Sequence, residues 1–503
     1  MPRVLIKAEP EMRTESGHVS RFTGRHIHFI GVGGCGMSGL ARMLLDAGAM
    51  VTGSDTKLNA QTEELMKRGA TITRDQTGGL LSGGTDLVVR TAAIAACNLE
   101  YRRACEMGLR QVKYAQLLGE VMSERLGVAV SGTHGKSTTT AMISFALLEC
   151  GADPSFVIGA TVPQLGGSSR SGAGRAFVVE ACEFDRSFHN YRPRVAVITN
   201  IEADHLDCYR GGLKEIIQSF REFAELVPSD GLIIANGDDS NVREALRGLG
   251  TPVQYIRLED RPEGGGGPRS ESVAGWASRI TGAERGGYRA EVYHDGELVA
   301  GLRLSVAGRH NVFNATAALA ACEACSVEAS EAARALSGFV GVDRRMSELG
   351  RYNGAVVVDD YGHHPTEIRT TLRAAREKFS PKRLVCVFQP HQHSRTRFLL
   401  EDFGSSFADA DVTIVPDIYA ARDTEADRRS VSTADLVERI NRNGQRALHL
   451  PRFSQIVEYL RQELRAGDLI ITMGAGNICE IGRELVKSPA TREPRVADGS
   501  RSA

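Results

Sequence analysis

The sequence predicts an α/β protein of three domains, each built around a mainly parallel β-sheet. Two glycine loops, at 31–39 and 131–136, each follow a short apolar run and lead into a helix-like segment. From about residue 355 onward, short apolar runs alternate with longer amphipathic segments. Such alternation is typical of parallel strands connected by helices. A chain of 503 residues is long enough for about three domains.

Composition and charge exclude several classes of protein. Hydrophobic residues make up 42% and charged residues 24% of the chain, as in ordinary globular proteins. The net charge of −1 gives no overall field toward nucleic acid or an anionic membrane. No apolar run is long enough to span a bilayer, and the N-terminus lacks the apolar core of a secretion signal. We therefore expect a cytoplasmic monomer or weak homodimer that binds neither nucleic acid nor membrane.

The cysteines support the same compartment. Ten of them are scattered along the chain without the paired spacing of a zinc site. Cys322 and Cys325 form a single close pair in an alanine-rich, helix-like segment. We interpret them as core thiols, the alternative being a redox or zinc function.

The central glycine loop predicts nucleotide binding. Residues 131–140 read Ser-Gly-Thr-His-Gly-Lys-Ser-Thr-Thr-Thr and lie between an apolar strand and an apolar helix. Small residues let backbone N–H groups surround an anion, and the helix N-terminus adds partial positive charge. Lys136 would reach the outer phosphates, and the Ser137 hydroxyl would bind Mg²⁺. The usual P-loop has a further glycine where Val130 stands, so this is a shortened version, and a glycine-rich turn without function is the alternative.

The first glycine loop is a weaker signal. Residues 31–39 read Gly-Val-Gly-Gly-Cys-Gly-Met-Ser-Gly after a strand at 26–30, and Asp55 follows about twenty residues on, as in dinucleotide sites. The diphosphate of NAD or of another nucleotide would satisfy the same amides. The pattern therefore leaves the ligand open.

Acidic and histidine residues follow two more strands of the central region. Glu180 ends an apolar strand at 176–180, where a carboxylate beside a P-loop is well placed to hold Mg²⁺ directly or through water. The segment 200–207 contains four ionisable residues, of which His205 is the best candidate for a metal ligand or phosphate contact. Asn311 precedes an apolar helix at 315–324, and it could serve simply as the N-cap of that helix.

The last part of the chain has two polar segments at strand ends. The predicted strands are 355–358, 384–388, 412–415 and 469–472, and the predicted helices are 365–378, 396–408, 434–441 and 477–485. Residues 359–365 and 389–397 follow two of these strands and contain histidine beside Asp or Arg. Because ligands of open α/β sheets bind at the carboxyl ends of the strands, both segments would face one crevice. Turn chemistry is the alternative.

These patterns predict the following organisation: a flexible leader at 1–24, a first domain at 25–124, a central domain at 125–342, a third domain at 343–487 and a disordered tail at 488–503. Residues 261–287, rich in Gly, Ser and Arg, are predicted to form an extended loop or a weak hairpin.

Taken in order, the motifs resemble one family. The P-loop string is followed by Asn-Ile-Glu-Ala-Asp-His-Leu-Asp, by Gly-Arg-His-Asn-Val-Phe-Asn-Ala and by Asp-Asp-Tyr-Gly-His-His-Pro-Thr-Glu, as in the Mur ligases. Together with the first glycine loop, they are most similar to the members that add L-alanine to UDP-N-acetylmuramate. The resemblance covers about residues 25–487.

The resemblance implies a Rossmann-like N-terminal domain that binds the UDP-sugar, a central P-loop ATPase domain, and a C-terminal Rossmann-like domain that binds the amino acid. It implies that ATP and Mg²⁺ drive formation of an amide between L-alanine and the lactyl carboxylate of UDP-N-acetylmuramate, through an acyl phosphate. This is the first amino-acid addition in peptidoglycan precursor synthesis.

The same resemblance assigns residues to sites. The catalytic residues would be Lys136, Glu180, His205, Arg345 and His363, with Ser137, Glu180 and His205 at the metal. ATP would be bound by Gly132, Thr133, His134, Gly135, Lys136, Ser137, Thr138, His310, Asn311, Asn314 and Arg345. The UDP-sugar would be bound by Gly31, Gly33, Gly34, Gly36, Met37, Ser38, Asp55, Asn200 and His205. The amino acid would be bound by Asp360, Tyr361, His363, His391 and Arg395.

Three positions depart from the family pattern. Gln392 stands where an Arg commonly follows the histidine of the third domain, residues 90–94 replace a more Ser-rich segment, and Cys35 places a thiol in the first glycine loop. Three other functions stay open: a ligase that attaches a whole recycled peptide to the same sugar nucleotide, a UDP-sugar and ATP sensor without turnover, and an NAD-dependent dehydrogenase.

Overall fold

The structure is a computed structural model that describes residues 20–91, 94–259, 275–284 and 286–487. The chain divides into two compact units, one ending at Asp343 and one beginning at Arg344. The predicted tail, most of the predicted leader and part of the predicted loop at 261–287 lie outside the described residues. Within the described ranges, no helix is long and apolar enough to cross a membrane.

The first unit begins with a parallel five-stranded sheet in the order β3-β2-β1-β4-β5. The chain order reverses beside β1, so the loop after β1 opens at the point where this fold binds nucleotides. Its strands are β1 His26–Ile30, β2 Met50–Ser54, β3 Thr71–Thr73, β4 Leu87–Arg90 and β5 Gln111–Lys113. Its helices are α1 Cys35–Asp46, α2 Ala60–Lys67, α3 Leu99–Glu106 and α4 Tyr114–Met122.

A ten-stranded sheet forms the rest of the first unit, in the order β15-β14-β13-β12-β11-β10-β6-β9-β7-β8. Pairing is parallel from β7 across to β13, and β8, β14 and β15 add antiparallel edges. The strands are β6 Leu126–Ser131, β7 Ser155–Val162, β8 Gly167–Arg170, β9 Ala176–Glu180, β10 Val195–Ile198, β11 Leu232–Asn236, β12 Val253–Glu259, β13 Gly275–Glu284, β14 Gly287–His294 and β15 Glu297–Leu304. The helices are α5 Lys136–Glu149, α6 Leu213–Ala224, α7 Ser240–Leu246, α8 Arg309–Ala324 and α9 Ala329–Leu336, with 3₁₀ turns at Pro163–Leu165 and Phe184–Asn190.

The core of this sheet explains why the P-loop helix is apolar on nearly every side. Helix α5 packs between the sheet and helices α8 and α9, and residues 139–147 along it are buried. Helix α8 is rich in alanine, which lets it approach α5 closely, and Cys322 lies in this core as predicted. A helix buried on all faces loses the polar stripe of a surface helix.

The second unit holds a six-stranded sheet in the order β16-β17-β21-β18-β19-β20, parallel except for β16. The strands are β16 Ser347–Tyr352, β17 Ala355–Asp360, β18 Arg383–Phe388, β19 Val412–Val415, β20 Ala447–His449 and β21 Asp468–Met473. The helices are α10 Pro365–Phe379, α11 His393–Phe398, α12 Leu400–Gly404, α13 Glu425–Arg428, α14 Thr433–Arg442, α15 Phe453–Glu463 and α16 Cys479–Lys487.

The predicted fold class, three α/β domains with mainly parallel sheets, is confirmed, whereas some local predictions were wrong. The single helix predicted at 396–408 is two short helices, because the chain departs from helical geometry at Leu399. Residues 275–284, predicted as part of an extended loop or a weak hairpin, form a full strand, which makes an antiparallel hairpin with β14 and also pairs with β12. The domain boundaries stay predictions.

Candidate functional site

The P-loop lies between β6 and α5, where a parallel strand ends and a helix begins. Gly132 has a φ of +140° and Gly135 a φ of +84°, both in the region that favours glycine. A Cβ on Gly132 would lie 2.0 Å from the Thr199 hydroxyl oxygen, and a Cβ on Gly135 would lie 2.9 Å from Asn314 Oδ1. Both glycines are therefore required by close approach as well as by backbone conformation.

Residues at the end of the neighbouring strand β10 hold this loop in shape. The Thr199 hydroxyl donates to the His134 carbonyl at 2.6 Å. The Asn200 carboxamide donates to the same carbonyl at 3.0 Å and accepts from the His134 N–H at 2.8 Å. Glu202 N–H donates to the Thr133 hydroxyl at 2.8 Å. The loop is thus preorganised by side chains 60 residues or more away in sequence.

Asn200 was predicted to bind the UDP-sugar. The structure places both ends of its carboxamide on the P-loop peptide at His134, and its assignment to the UDP-sugar stays a prediction.

Lys136 and Glu183 form an ion pair at the P-loop. The Lys136 ammonium lies 2.9 Å from Glu183 Oε2 and donates to the carbonyls of Gly132, at 2.5 Å, and Thr133, at 3.0 Å. The side chains are 13% and 4% exposed. Burial alone would lower the pKa of Lys136, but the carboxylate of Glu183, together with Cys182 and Glu180, raises it above its usual range. Lys136 is therefore a permanent cation in the loop.

Sequence reasoning missed Glu183. Glu180 drew attention because it ends β9, whereas Glu183 follows in an irregular segment with no pattern of its own. Its backbone is fixed by Tyr209, whose hydroxyl donates to the Glu183 carbonyl at 2.5 Å. An acidic residue three positions after a strand-ending Glu, beside a P-loop lysine, was the available signal.

Glu180 and His205, two of the predicted metal ligands, both act on this pair. Glu180 Oε2 accepts from the Gly159 N–H at 2.7 Å, and its second oxygen has no such contact among the described residues. His205 Nε2 lies 3.9 Å from Glu183 Oε1 and its ring packs edge-on against Phe184. His205 Nδ1 is buried and has no hydrogen-bond partner within the described residues. A buried imidazole nitrogen without a partner among the described residues, on a ring whose other nitrogen faces the carboxylates of Glu183 and Asp204, fits a site that binds a cation or phosphate.

The predicted adenine residues begin helix α8. The alternative interpretation of Asn311 as N-cap is wrong, because the cap is Gly308 at φ +94° and the helix already begins at Arg309. Asn311 instead donates back to the Ala307 carbonyl at 2.6 Å, and Asn314 donates to Asn311 at 3.1 Å. Asn314 is buried against Gly135, while His310 is exposed and folds over Gly308. The structure thus brings Asn314 to the P-loop.

The first glycine loop, residues 31–39, follows β1 and includes the first residues of α1. Asp55 accepts the Gly33 N–H at 2.7 Å, and Asn59 donates to the Gly33 carbonyl at 2.9 Å. Asp55 therefore fixes the loop, and Asn59 is a supporting residue that the sequence did not reveal. Met37 and Ser38 are buried, and the Ser38 hydroxyl donates to the Gly34 carbonyl at 2.9 Å. Only the backbone of Met37 and Ser38 is then suited to meet a ligand.

The loop also holds a thiol. Burial raises the pKa of Cys35, and Glu180 raises it further, against a backbone hydrogen bond that lowers it. Cys35 is a protonated thiol at neutral pH, which agrees with a small filler residue.

In the second unit, the predicted amino-acid residues gather at the carboxyl ends of β17 and β18. Tyr361 meets His363 edge-on at 5.5 Å between ring centroids, and His363 lies 6.2 Å from His391. Arg395 donates to His391 Nδ1 at 3.2 Å. Tyr419, which the sequence did not single out, stacks on His391 at 5.5 Å and is joined to it by a backbone bridge.

The contacts of the two histidines fix their tautomers. His363 Nδ1 lies 3.1 Å from the Tyr361 carbonyl, which only accepts, so Nδ1 carries the proton and the lone pair is on Nε2. His391 Nδ1 faces the Arg395 guanidinium, which only donates, so His391 carries its proton on Nε2. In their neutral forms, the two rings therefore carry their protons on different nitrogen atoms.

Two arginines and two aspartates connect β17 to this cluster. Arg344 pairs with Asp359 at 3.0 Å and Arg345 pairs with Glu367 at 3.1 Å, and both guanidinium groups lie over Tyr361. Asp360 is buried, accepts from the Gly362 and Met346 N–H groups, and has a pKa raised to about 6 by burial, which Arg345 and these bonds only partly offset. Gln392, the departure from the family pattern, is buried at the start of α11.

Three family models match the chain. They are the Mur ligase family catalytic domain at residues 26–126, the Mur ligase middle domain at 130–322 and the Mur ligase glutamate ligase domain at 344–476. Among curated relatives, a UDP-N-acetylmuramate–L-alanine ligase of Caldanaerobacter subterraneus is 42% identical over 92% of this chain and 97% of its own length. One of Pelotomaculum thermopropionicum is 43% identical, with the same coverage of each chain.

Two solved structures are similar to this chain over nearly its whole length. A UDP-N-acetylmuramate–alanine ligase of Thermotoga maritima has a TM-score of 0.74 at 25% identity and covers 92% of this chain and 98% of its own. A murein peptide ligase of Psychrobacter arcticus has a TM-score of 0.69 at 28% identity and covers 93% of this chain and all of its own.

The Lys136–Glu183 pair predicts non-additive mutations. Lys136→Ala should lower kcat/KM for ATP by at least about 1,000-fold, about 4 kcal/mol in transition-state free energy, because the phosphates lose their cation. Glu183→Gln should lower it by about 10- to 100-fold, and the double variant should be no worse than Lys136→Ala, because both act through one ammonium group.

The measurement is steady-state ATP turnover, with Glu222→Gln, an exposed carboxylate on α6, as matched control. Near-normal rates for Lys136→Ala, or losses that simply add, would contradict the assignment.

Asp360 predicts a pH dependence of stability. Its folded pKa of about 6 lies above the ordinary 3.8, so the folded state holds the proton more tightly. The stabilisation is complete below pH 3.8 and is lost as the pH rises through about 6, by at most about 3 kcal/mol. Melting temperatures of the wild type and Asp360→Asn should be compared from pH 4.5 to 7.5. Because asparagine does not titrate, the melting temperature of the wild type should fall relative to that of Asp360→Asn as the pH rises. A constant difference, as expected for the exposed control Asp402→Asn, would refute it.

Proposed function

Because the chain belongs to the Mur ligase family, we propose that it joins L-alanine to the lactyl carboxylate of UDP-N-acetylmuramate and converts ATP to ADP and phosphate. The observation that carries this proposal is the ordered P-loop, with Lys136 held by Glu183, in a chain that matches L-alanine ligases over nearly its whole length. The reaction belongs to peptidoglycan precursor synthesis.

In the first step, the lactyl carboxylate attacks the γ-phosphorus of ATP, the bond to the β-phosphate oxygen breaks, and ADP leaves. Lys136 neutralises charge on the transferring group, and the N–H groups at the start of α5 hold the phosphates. No covalent enzyme intermediate is needed, because phosphoryl transfer requires positioning and charge neutralisation above all. The product is an acyl phosphate.

We propose that Mg²⁺ is held by Ser137, Glu180 and His205. The buried Nδ1 atom of His205, without a partner among the described residues, and the Glu180 carboxylate support this assignment. Bound there, the ion would supply charge neutralisation at the phosphates.

In the second step, the amine of alanine attacks the acyl carbon, the amide forms and phosphate leaves. We propose that His363 Nε2 accepts the proton from the amine, since its lone pair is placed there by the Tyr361 carbonyl. His391 Nε2–H and Arg395 would bind the alanine carboxylate, and Asp360 and Tyr361 would shape the pocket around it. Arg345 would contact phosphate, with its charge already screened by Glu367.

The nucleotide assignments follow from the same scheme. Asn311, Asn314 and His310 would lie at the nucleoside end of ATP, and the first glycine loop would hold the diphosphate of the sugar nucleotide. The protein would act in the cytoplasm, as a monomer or weak homodimer that binds neither nucleic acid nor membrane.

The peptide-adding ligases are the relevant second candidate. A Neisseria ligase for L-alanyl-γ-D-glutamyl-meso-diaminopimelate is 30% identical with a TM-score of 0.56, although it covers only 64% of this chain. The curated relatives at 42% and 43% identity are L-alanine ligases, so we favour the free amino acid.

An ADP-release assay tests the proposal. The purified protein with ATP, Mg²⁺ and UDP-N-acetylmuramate should release ADP over many turnovers only when L-alanine is added, and at most one ADP per enzyme molecule without it. The same assay with glycine and L-serine measures the selectivity among the three amino acids. If ADP release depends on the tripeptide L-alanyl-γ-D-glutamyl-meso-diaminopimelate and not on L-alanine, the chain is a peptide ligase. No release with either would leave a protein that binds nucleotides without turnover.

A further inference from the structure

Tyr114, the first residue of α4, lies directly on the first glycine loop. A Cβ on Gly36 would be 2.8 Å from the Tyr114 hydroxyl oxygen and 2.9 Å from Cζ. Real Cβ atoms do not approach other atoms this closely, so Gly36 has to be glycine for the phenol to sit there. No motif or family residue considered above includes Tyr114.

Helix α4, which begins with Tyr114, is held by the segment that follows β9. Helix α4 packs against the 3₁₀ segment Phe184–Asn190, so closely that a Cβ on Gly119 would lie 2.0 Å from the Asn190 carbonyl oxygen. Lys113, the residue before Tyr114, pairs with Asp185 at 3.0 Å. The start of α4 is therefore joined both to the glycine loop and to the segment that follows Glu183.

The hydroxyl of Tyr114 is a neutral hydrogen-bond donor. Burial raises the pKa of Tyr114, and Glu180, Cys182 and Cys35 raise it further, so the phenol is neutral at physiological pH. Within the described residues it makes no hydrogen bond, and the Glu180 carboxylate accepts from the Gly159 N–H instead. A half-buried donor beside an anion-binding loop is suited to a ligand.

We propose that the Tyr114 hydroxyl donates a hydrogen bond to the diphosphate of the sugar nucleotide bound on the first glycine loop. This rests on the proposed function. The N–H groups at the start of α1 face the same anion, and Tyr114 adds a side-chain donor whose ring is already held in place. Because little conformational freedom is lost on binding, the bond should contribute close to its full strength.

The test is Tyr114→Phe, which keeps the ring on Gly36 and removes only the hydroxyl. Calorimetric titration should show the Kd for UDP and for UDP-N-acetylmuramate each raised about 10-fold, as expected for one charge-assisted hydrogen bond. The Kd for ATP and the melting temperature should stay unchanged. Tyr293→Phe is the matched control, since Tyr293 is a half-buried tyrosine on β14 whose hydroxyl donates to Glu291, and it should leave both affinities unchanged.

Two results would overturn the inference. The first is a Kd of Tyr114→Phe for UDP equal to that of the wild type. The second is a raised Kd for UDP-N-acetylmuramate alone, which would place the contact on the sugar. Neither result bears on the proposed function, which stands as long as the wild-type protein binds UDP-N-acetylmuramate and turns over. If wild-type protein binds neither UDP nor UDP-N-acetylmuramate, the proposed function itself fails.

Discussion

The structure of the nucleotide site depends on one charged contact, the ion pair of Lys136 with Glu183. A buried ammonium is tolerable only when a carboxylate and carbonyls surround it, and here Glu183 and the carbonyls of Gly132 and Thr133 do so. The loop that supplies those carbonyls is in turn held by Thr199 and Asn200 from β10. Strand, loop, helix and the segment after β9 therefore form one cooperative unit around a cation.

The elements that local sequence determines were predictable. Strands β1, β9 and β19 have the predicted bounds, because apolar runs flanked by turn residues leave few alternatives. The cluster of Tyr361, His363, His391 and Arg395 was also predictable, since parallel strands deliver their carboxyl ends to one edge.

What depends on contacts between distant segments could not be predicted. Asn200 was assigned to the sugar nucleotide, but only the packing of β10 beside β6 shows that its carboxamide holds the P-loop. Asn311 is a reasonable cap by residue type, yet the positive φ of Gly308 starts the helix earlier. Glu183, Tyr419 and Tyr114 lie in segments without periodicity or motif, and their importance arises from what the fold places beside them.

The central claim is that the P-loop activates a carboxylate by phosphorylating it, and isotope transfer tests this directly. UDP-N-acetylmuramate with ¹⁸O at both oxygens of its lactyl carboxylate should be incubated with the protein, ATP, Mg²⁺ and L-alanine, and the released phosphate analysed by mass spectrometry. Attack of the carboxylate on the γ-phosphorus predicts one ¹⁸O atom in each phosphate formed. Phosphate without label, released together with the amide product, would contradict the acyl-phosphate route.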